Sequence, residues 1–286
     1  MEPHYKHISR SLVARHPQPV GVIEFYGGQF FGQLPVTSYD YLLATLFRNG
    51  YTIIGVPFTF GFDHVAIAEG LLRERDNVRR LLPELDSVPH FWLGHSLGCK
   101  FISLLEVYTN PNDGMFAPPG GPRLAAAQRG ILDEPAILMA PDIADTAQAV
   151  PIPALGRFLD ALGLGIQPDR RETQHLIESD PLFGLTALIS FHSDRIAGNI
   201  SQSPERSDAA WFLKMLQGRH PEGVLHQELP GGHLVPLGLQ LDDIVLELDP
   251  FGVAQAQPPA LLEQTVLEML GKLNYRRVTA VAKRAA

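Results

Sequence analysis

Along this chain, short runs of continuous apolar residues alternate with segments of helical period. That is the pattern of strands buried on both faces and joined by amphipathic helices. Val20–Phe25 (VGVIEF) reads as the first clear strand and runs straight into Tyr26-Gly27-Gly28. A helix is predicted over 38–49, where Tyr39, Leu42, Leu43, Leu46 and Phe47 recur at helical spacing and Gly50 suits the residue past its end. Residues 51–58 (YTIIGVPF) read as a second strand, and Asp63 is placed to cap a helix running towards Leu82. A strand over 89–93 ends in Gly94-His95-Ser96-Leu97-Gly98, after which Leu97, Phe101, Leu104, Leu105 and Tyr108 return to helical spacing. Further strands are predicted at 136–140, 185–191 and 224–229, with helices near 207–216 and 259–273.

Two stretches break the alternation. Residues 110–130 are rich in Pro and Gly and read as an excursion loop, while 143–184 set Pro151, Pro153 and Pro168 around a leucine-rich segment without strand signals. The predicted organisation is an α/β core over 1–142 and 185–286, a mostly parallel sheet flanked by helices, with a helical cap inserted at 143–184. The basic tail YRRVTAVAKRAA is expected to be a solvated, frayed end.

Composition narrows the function. Of 286 residues, 45% are apolar and 19% charged, enough to bury a large core and too apolar for disorder. Acidic residues outnumber basic ones 31 to 23, giving a net charge of −8, which argues against a nucleic-acid surface. The single cysteine, Cys99, excludes an internal disulfide and a multi-cysteine zinc site, and it is expected to be buried packing, with Lys100 beside it exposed or snorkelling. No metal-ligand, phosphate-loop or dinucleotide motif occurs, so no cofactor is expected. The first residues lack the apolar core of a secretory signal and no apolar run is long enough to span a bilayer, so a cytoplasmic protein is expected. Homo-oligomerisation is left open.

The chemistry gathers on the third strand's end. Gly94-His95-Ser96-Leu97-Gly98 fits G-x-S-x-G, in which a serine sits on a strained strand-to-helix turn and glycines remove side chains that would collide. A nucleophilic Ser96 needs a base and a carboxylate to orient it, following it in the order acid, then histidine. His233, in the loop Pro230-Gly231-Gly232-His233 after the last strand, is the candidate base. Asp194, just past the strand ending in Phe191, is the candidate acid, with Asp142 as its rival. The oxyanion donors are expected to be the Leu97 amide and one from the glycine turn, Gly28 first and Gln29 second. Leu155, Phe158, Leu159 and Leu162 of the cap make one helical stripe, which either packs onto the core or, through Phe158 and Leu162 with Phe30 and Phe31, lines an apolar acyl pocket.

The elbow GHSLG, the turn YGGQF, the strand-end Asp in FHSDRI and the loop PGGHLVP together resemble the α/β-hydrolase superfamily. More closely, FYGGQFFG, GVPFTFGFDH, GHSLGCK and PGGHLVPLG are similar to a family of unknown function from photosynthetic lineages, over about Val20 to Leu273. The resemblance implies a Ser–Asp–His hydrolase scaffold and brings no substrate. Tyr26-Gly27 stands where the superfamily commonly has His-Gly, and the segment before Val20 is too short for a full leading hairpin. The expected activity is hydrolysis of a small-molecule carboxylic ester or thioester through an acyl-enzyme. Acyl transfer on the same residues, or a non-catalytic binding protein on a hydrolase fold, are the alternatives.

Overall fold

The computed structural model describes residues 1–109, 131, 134–143, 165–179, 183–220, 223–241, 244–246, 256–257 and 260–285. Their centre is an eight-stranded sheet that opens with β1 (Lys6–Ile8) and β2 (Ser11–Ala14) and has the order β1-β2-β4-β3-β5-β6-β7-β8. Six strands, β3 (Gly21–Tyr26), β4 (Tyr51–Gly55), β5 (His90–His95), β6 (Ala136–Met139), β7 (Thr186–Phe191) and β8 (Leu225–Leu229), run parallel. Every residue of β3, β5, β6 and β7 is buried, because helices cover both faces.

Successive side chains divide between two cores. Val22, Tyr26, Trp92, Leu138 and Leu188 face a layer built by α3 (His64–Leu81), α4 (Leu97–Thr109), α5 (Arg170–Ser179) and α6 (Asp208–Arg219). Ile23, Phe25, Phe91, Leu93 and Ile189 face α2 (Asp40–Arg48) and α7 (Leu261–Ala285). At about 25 cal/mol per Å² of apolar surface, burying each large side chain contributes about 1.5–3 kcal/mol. The predicted Asp63 cap forms, its carboxylate accepting the Ala66 N–H at 2.9 Å, and the Ser207 hydroxyl caps α6 in the same way by accepting the Ala210 N–H at 3.0 Å.

The chain departs from expectation in five places. A leading hairpin exists: β1 (Lys6–Ile8) and β2 (Ser11–Ala14) pair antiparallel and β2 lies against β4. Its tight turn is held from a distance, since the buried Glu74 carboxylate on α3 accepts the Ser9 and Ser11 hydroxyls and the Arg10 and Ser11 amides. The first predicted helix is split: α1 (Pro35–Ser38) and α2 are separated by Tyr39, whose φ of −120° breaks the helical run. Lys100 is fully buried, its ammonium donating to the Pro168 carbonyl at 2.7 Å. The basic tail continues α7 to Ala285. A small sheet of β9 (Leu239–Leu241), β10 (Ile244–Leu246) and β11 (Ala256–Gln257) follows β8.

Most of the predicted cap lies outside the described residues, but its two ends do not. The Ile143 N–H donates to Asp208 Oδ2 at 2.9 Å and the Arg170 guanidinium donates to Asp208 Oδ1 at 2.6 Å. The chain thus leaves β6 and re-enters α5 at one buried carboxylate. Helix α5 belongs to the core layer, with Leu176 and Ile177 in its apolar cluster.

Candidate active site

Strand β3 is followed by β4 on one side, and β5 then lies on its other side, so the chain reverses its order of addition at the β3–β5 pair. In open parallel sheets the crevice beyond the strands' C-terminal ends at such a point is where ligands bind. Register sets Tyr26 beside Gly94, which brings the Gly27-Gly28 turn next to His95 and Ser96.

Ser96 occupies the turn between β5 and α4 with φ of +55°, a left-handed conformation that costs a non-glycine residue about 1–3 kcal/mol. The two flanking glycines are required by packing. A Cβ on Gly98 would overlap the Tyr26 and Gly27 carbonyl oxygens, and one on Gly94 would meet the Ile102 side chain at 2.7 Å. The turn is pinned through its backbone: the Ser96 N–H donates to the Met139 carbonyl, while the Ser96 carbonyl accepts from Cys99 and Asp142.

The structure brings three predicted side chains together. His233 Nε2 lies 2.8 Å from Ser96 Oγ, and His233 Nδ1 lies 3.0 Å from Asp194 Oδ2. A carboxylate can only accept, so Nδ1 carries the proton and the Nε2 lone pair faces the serine hydroxyl. Asp194 is itself held: its Oδ1 accepts the Ile196 and Ala197 amides at 2.8 and 3.0 Å. All three residues are at most 7% exposed, so the hydrogen bonds act away from bulk water. Asp142 is buried beneath the elbow, where its N–H meets the Ser96 carbonyl at 3.3 Å.

The glycine turn departs from expectation. The Gly28 N–H donates to the Tyr39 hydroxyl at 2.7 Å, so this amide is directed into the protein. Gly28 still lies close, since a Cβ built on it would stand 3.2 Å from Ser96 Cβ. Gln29 is next in the turn. Leu97, as the first residue of α4, has an amide without a carbonyl partner inside the helix, at its positive end.

Phe30 is 63% exposed and its ring lies 6.4 Å from that of Phe60, while Phe31 packs on the core side with the α2 and α7 residues. Phe158 and Leu162 lie outside the described residues. Burial pushes the Cys99 thiol well above its ordinary pKa, so it stays protonated. Among the described residues no three His, Cys, Asp or Glu side chains are grouped to hold a metal ion, and no helix is long and apolar enough to cross a membrane.

Two further residues stand at the site that sequence reading passed over, Tyr39 as part of an apolar helical stripe and His95 as a filler of the elbow. A polar hydroxyl in an otherwise aliphatic stripe was the available signal.

Residues 4–114 match the family described as Protein of unknown function (DUF1350). No curated protein sequence matches the chain. Among solved structures, esterase B of Lactobacillus rhamnosis is similar over 99% of this chain and 89% of its own, with a TM-score of 0.63 at 15% identity. The same esterase with a C4-C4 tributyrin phosphonate has a TM-score of 0.62 at 15% identity, over 99% and 89% of the two chains. Its C6-C4 inhibited form gives 0.62 at 16% identity, over 100% and 91%. The fold is that of the α/β hydrolases. Within that fold, Ser96 after β5, Asp194 after β7 and His233 after β8 all lie beyond C-terminal strand ends of one sheet.

Proposed function

We propose that this protein is a serine hydrolase of carboxylic ester or thioester bonds. The observation that carries the reading is the hydrogen-bonded sequence Ser96–His233–Asp194 on a strained elbow. Ser96 Oγ attacks the acyl carbon while its proton passes to His233 Nε2, and the imidazolium formed is stabilised by the Asp194 carboxylate. The Leu97 and Gln29 amides receive the oxyanion, Gln29 replacing Gly28 because the Gly28 amide is already committed to Tyr39. Collapse breaks the bond to the alcohol or thiol, which leaves with the proton from His233. Water then enters, gives its proton to His233, releases the acid and restores Ser96.

An apolar acyl group is supported by the exposed Phe30 and Leu34, which rim the turn that carries Gln29. Helix α5 belongs to the core layer, so the expected cap is confined to the residues between Ile143 and Arg170, whose ends converge on Asp208. Acyl transfer would use the same acyl-enzyme with another acceptor in place of water.

The test is a fluorophosphonate probe, which forms a covalent bond only with an activated serine. The pure protein should be labelled at Ser96, and Ser96→Ala should not be labelled at all. A folded wild type that takes no label would instead favour a binding protein on a hydrolase fold.

A further inference from the structure

Tyr39 and His95 join two loops of the site through buried hydrogen bonds of 2.7 to 2.8 Å. The Gly28 N–H donates to the Tyr39 hydroxyl, that oxygen lies 2.7 Å from His95 Nδ1, and His95 Nε2 lies 2.8 Å from the His233 carbonyl oxygen. Both side chains are 1% exposed, so water does not compete for these partners.

The chemistry of the ends fixes every proton between them. A backbone amide can only donate and a carbonyl can only accept. His95 Nε2 must therefore carry the proton that reaches the His233 carbonyl. A neutral imidazole has a single N–H, which leaves Nδ1 as an acceptor, and the hydrogen it receives is that of Tyr39. The Tyr39 oxygen then accepts from Gly28. The sequence Gly28 N–H to Tyr39 O, Tyr39 O–H to His95 Nδ1, His95 Nε2–H to His233 O has one direction only. Burial and the His233 imidazole, 4.9 Å away ring to ring, hold the His95 pKa well below its ordinary value, so the ring stays neutral.

Packing keeps the chain in place. The Tyr39 ring lies edge-on to Phe25 at 4.6 Å and to His95 at 5.5 Å. Gly27 makes room for it, since a Cβ there would stand 2.7 Å from Tyr39 Cε2.

We propose that Tyr39 and His95 are positioning residues: one directed hydrogen-bond chain fixes the His233 backbone against Ser96 and the glycine turn against the elbow. The proposal rests on the hydrolase reading of Ser96. The His233 carbonyl sets the His95 tautomer, and the Tyr39 hydroxyl supplies the buried partner of both Nδ1 and the Gly28 N–H. Without that hydroxyl, a buried acceptor and a buried donor lose their partner. The His95 ring and the glycine turn then shift, and the His233 backbone moves with them, so His233 Nε2 leaves its place at Ser96.

The test compares wild type with Tyr39→Phe, which keeps the ring and removes only the oxygen. The second-order rate of fluorophosphonate labelling should fall about 10–100-fold, as expected when a reacting group is displaced by about 1 Å. With p-nitrophenyl butyrate the loss should lie in kcat, with KM changed less than about threefold, and folded fraction by circular dichroism should match the wild type. The ¹⁵N imidazole spectrum should show His95 as the neutral Nε2–H tautomer in the wild type, with the Nδ1 resonance shifted in Tyr39→Phe by loss of the hydrogen bond it accepts. His95→Gln, which keeps an N–H donor for the His233 carbonyl, should retain more labelling than His95→Leu. Equal labelling rates and an unshifted His95 Nδ1 resonance in Tyr39→Phe would overturn the positioning role while leaving the hydrolase reading intact. A wild type that takes no label would overturn the hydrolase reading itself, and the tautomer measurement needs no activity.

Discussion

Among the described residues, two serine–histidine hydrogen bonds have nearly the same length. Ser96 Oγ lies 2.8 Å from His233 Nε2 and Ser190 Oγ lies 2.9 Å from His226 Nε2. The surroundings differ in every respect that matters for chemistry. Ser190 is an interior residue of β7, with Glu228 of β8 opposite it in register, and is fully buried. Ser96 sits past the end of its strand, in left-handed backbone, directly before a helix whose first amides are unpaired by the helix itself. Asp194 accepts a hydrogen bond from His233, whereas Glu228 acts on His226 only as a neighbouring charge, and burial lowers the His226 pKa. Distance therefore makes a hydrogen bond. Strain, an oriented base and a helix N-terminus at the sheet's C-terminal edge make a candidate nucleophile.

The sharpest way to break this contrast is to remove each hydroxyl. Ser96→Ala should lower hydrolysis of p-nitrophenyl butyrate by about 10³-fold or more, while Ser190→Ala should stay within about twofold of wild type. Stability should reverse the order. Ser96→Ala deletes a small atom from a strained turn and should leave the thermal midpoint almost unchanged. Ser190→Ala strips a partner from the ring of His226 and should cost about 1–3 kcal/mol in denaturant unfolding. Equal activity losses for the two variants would erase the distinction drawn between the pairs.

The carboxylates give the next largest effect. Asp194→Asn keeps an oxygen for the Ile196 and Ala197 amides, so the turn survives, but it presents an N–H to His233 Nδ1. The imidazole is then driven to the tautomer with its proton on Nε2, facing Ser96, and activity should fall by about 10³-fold. Asp142→Asn should lose less than about tenfold, because His233 Nδ1 bonds Asp194 Oδ2 and that bond survives the substitution. The opposite ranking in steady-state rates would hand the acid's role to Asp142.

What the sequence made legible follows the range of the interactions. The parallel strands, the Asp63 cap and the G-x-S-x-G turn are local, so periodicity, residue type and glycine placement reveal them. His233 and Asp194 were legible because each follows a recognisable strand in a set order. The leading hairpin was missed because its turn is held by Glu74, more than 60 residues away. Lys100 was misjudged because its partner is the Pro168 carbonyl, a contact that composition does not encode. Gly28 was the natural first choice as oxyanion donor, and only the fold reveals the Tyr39 hydroxyl that takes its amide. The C-terminal tail lacks an apolar stripe strong enough to announce a helix, yet α7 continues through it.

The smallest expected effect separates the buried histidines from the half-buried His226 through pH. His64 is fully buried, with its pKa lowered to about 3 by desolvation and then by the charge of Lys100, and His95 is held neutral in the same way. Unfolding exposes both rings, and their pKa values return to about 6.5. Below that value the unfolded chain binds protons that the fold refuses, so stability is complete above about pH 6.5 and declines as pH falls. Each ring should cost about 1.4 kcal/mol between pH 7.5 and 5.5. Glu24 does not confuse this window. Burial would raise its pKa, but Arg79 and His90 bring it down to about 2, so its contribution is lost only below about 4.5. Urea unfolding at the two pH values measures the total, and His64→Phe, beside the Phe101 ring at 5.3 Å, should remove about half of what the two rings supply. The ¹⁵N imidazole shifts of His95 at pH 5.5 isolate its own state from the total. A protonated ring there would be an imidazolium with two N–H groups, and the single direction assigned to the Tyr39–His95 chain would fail with it.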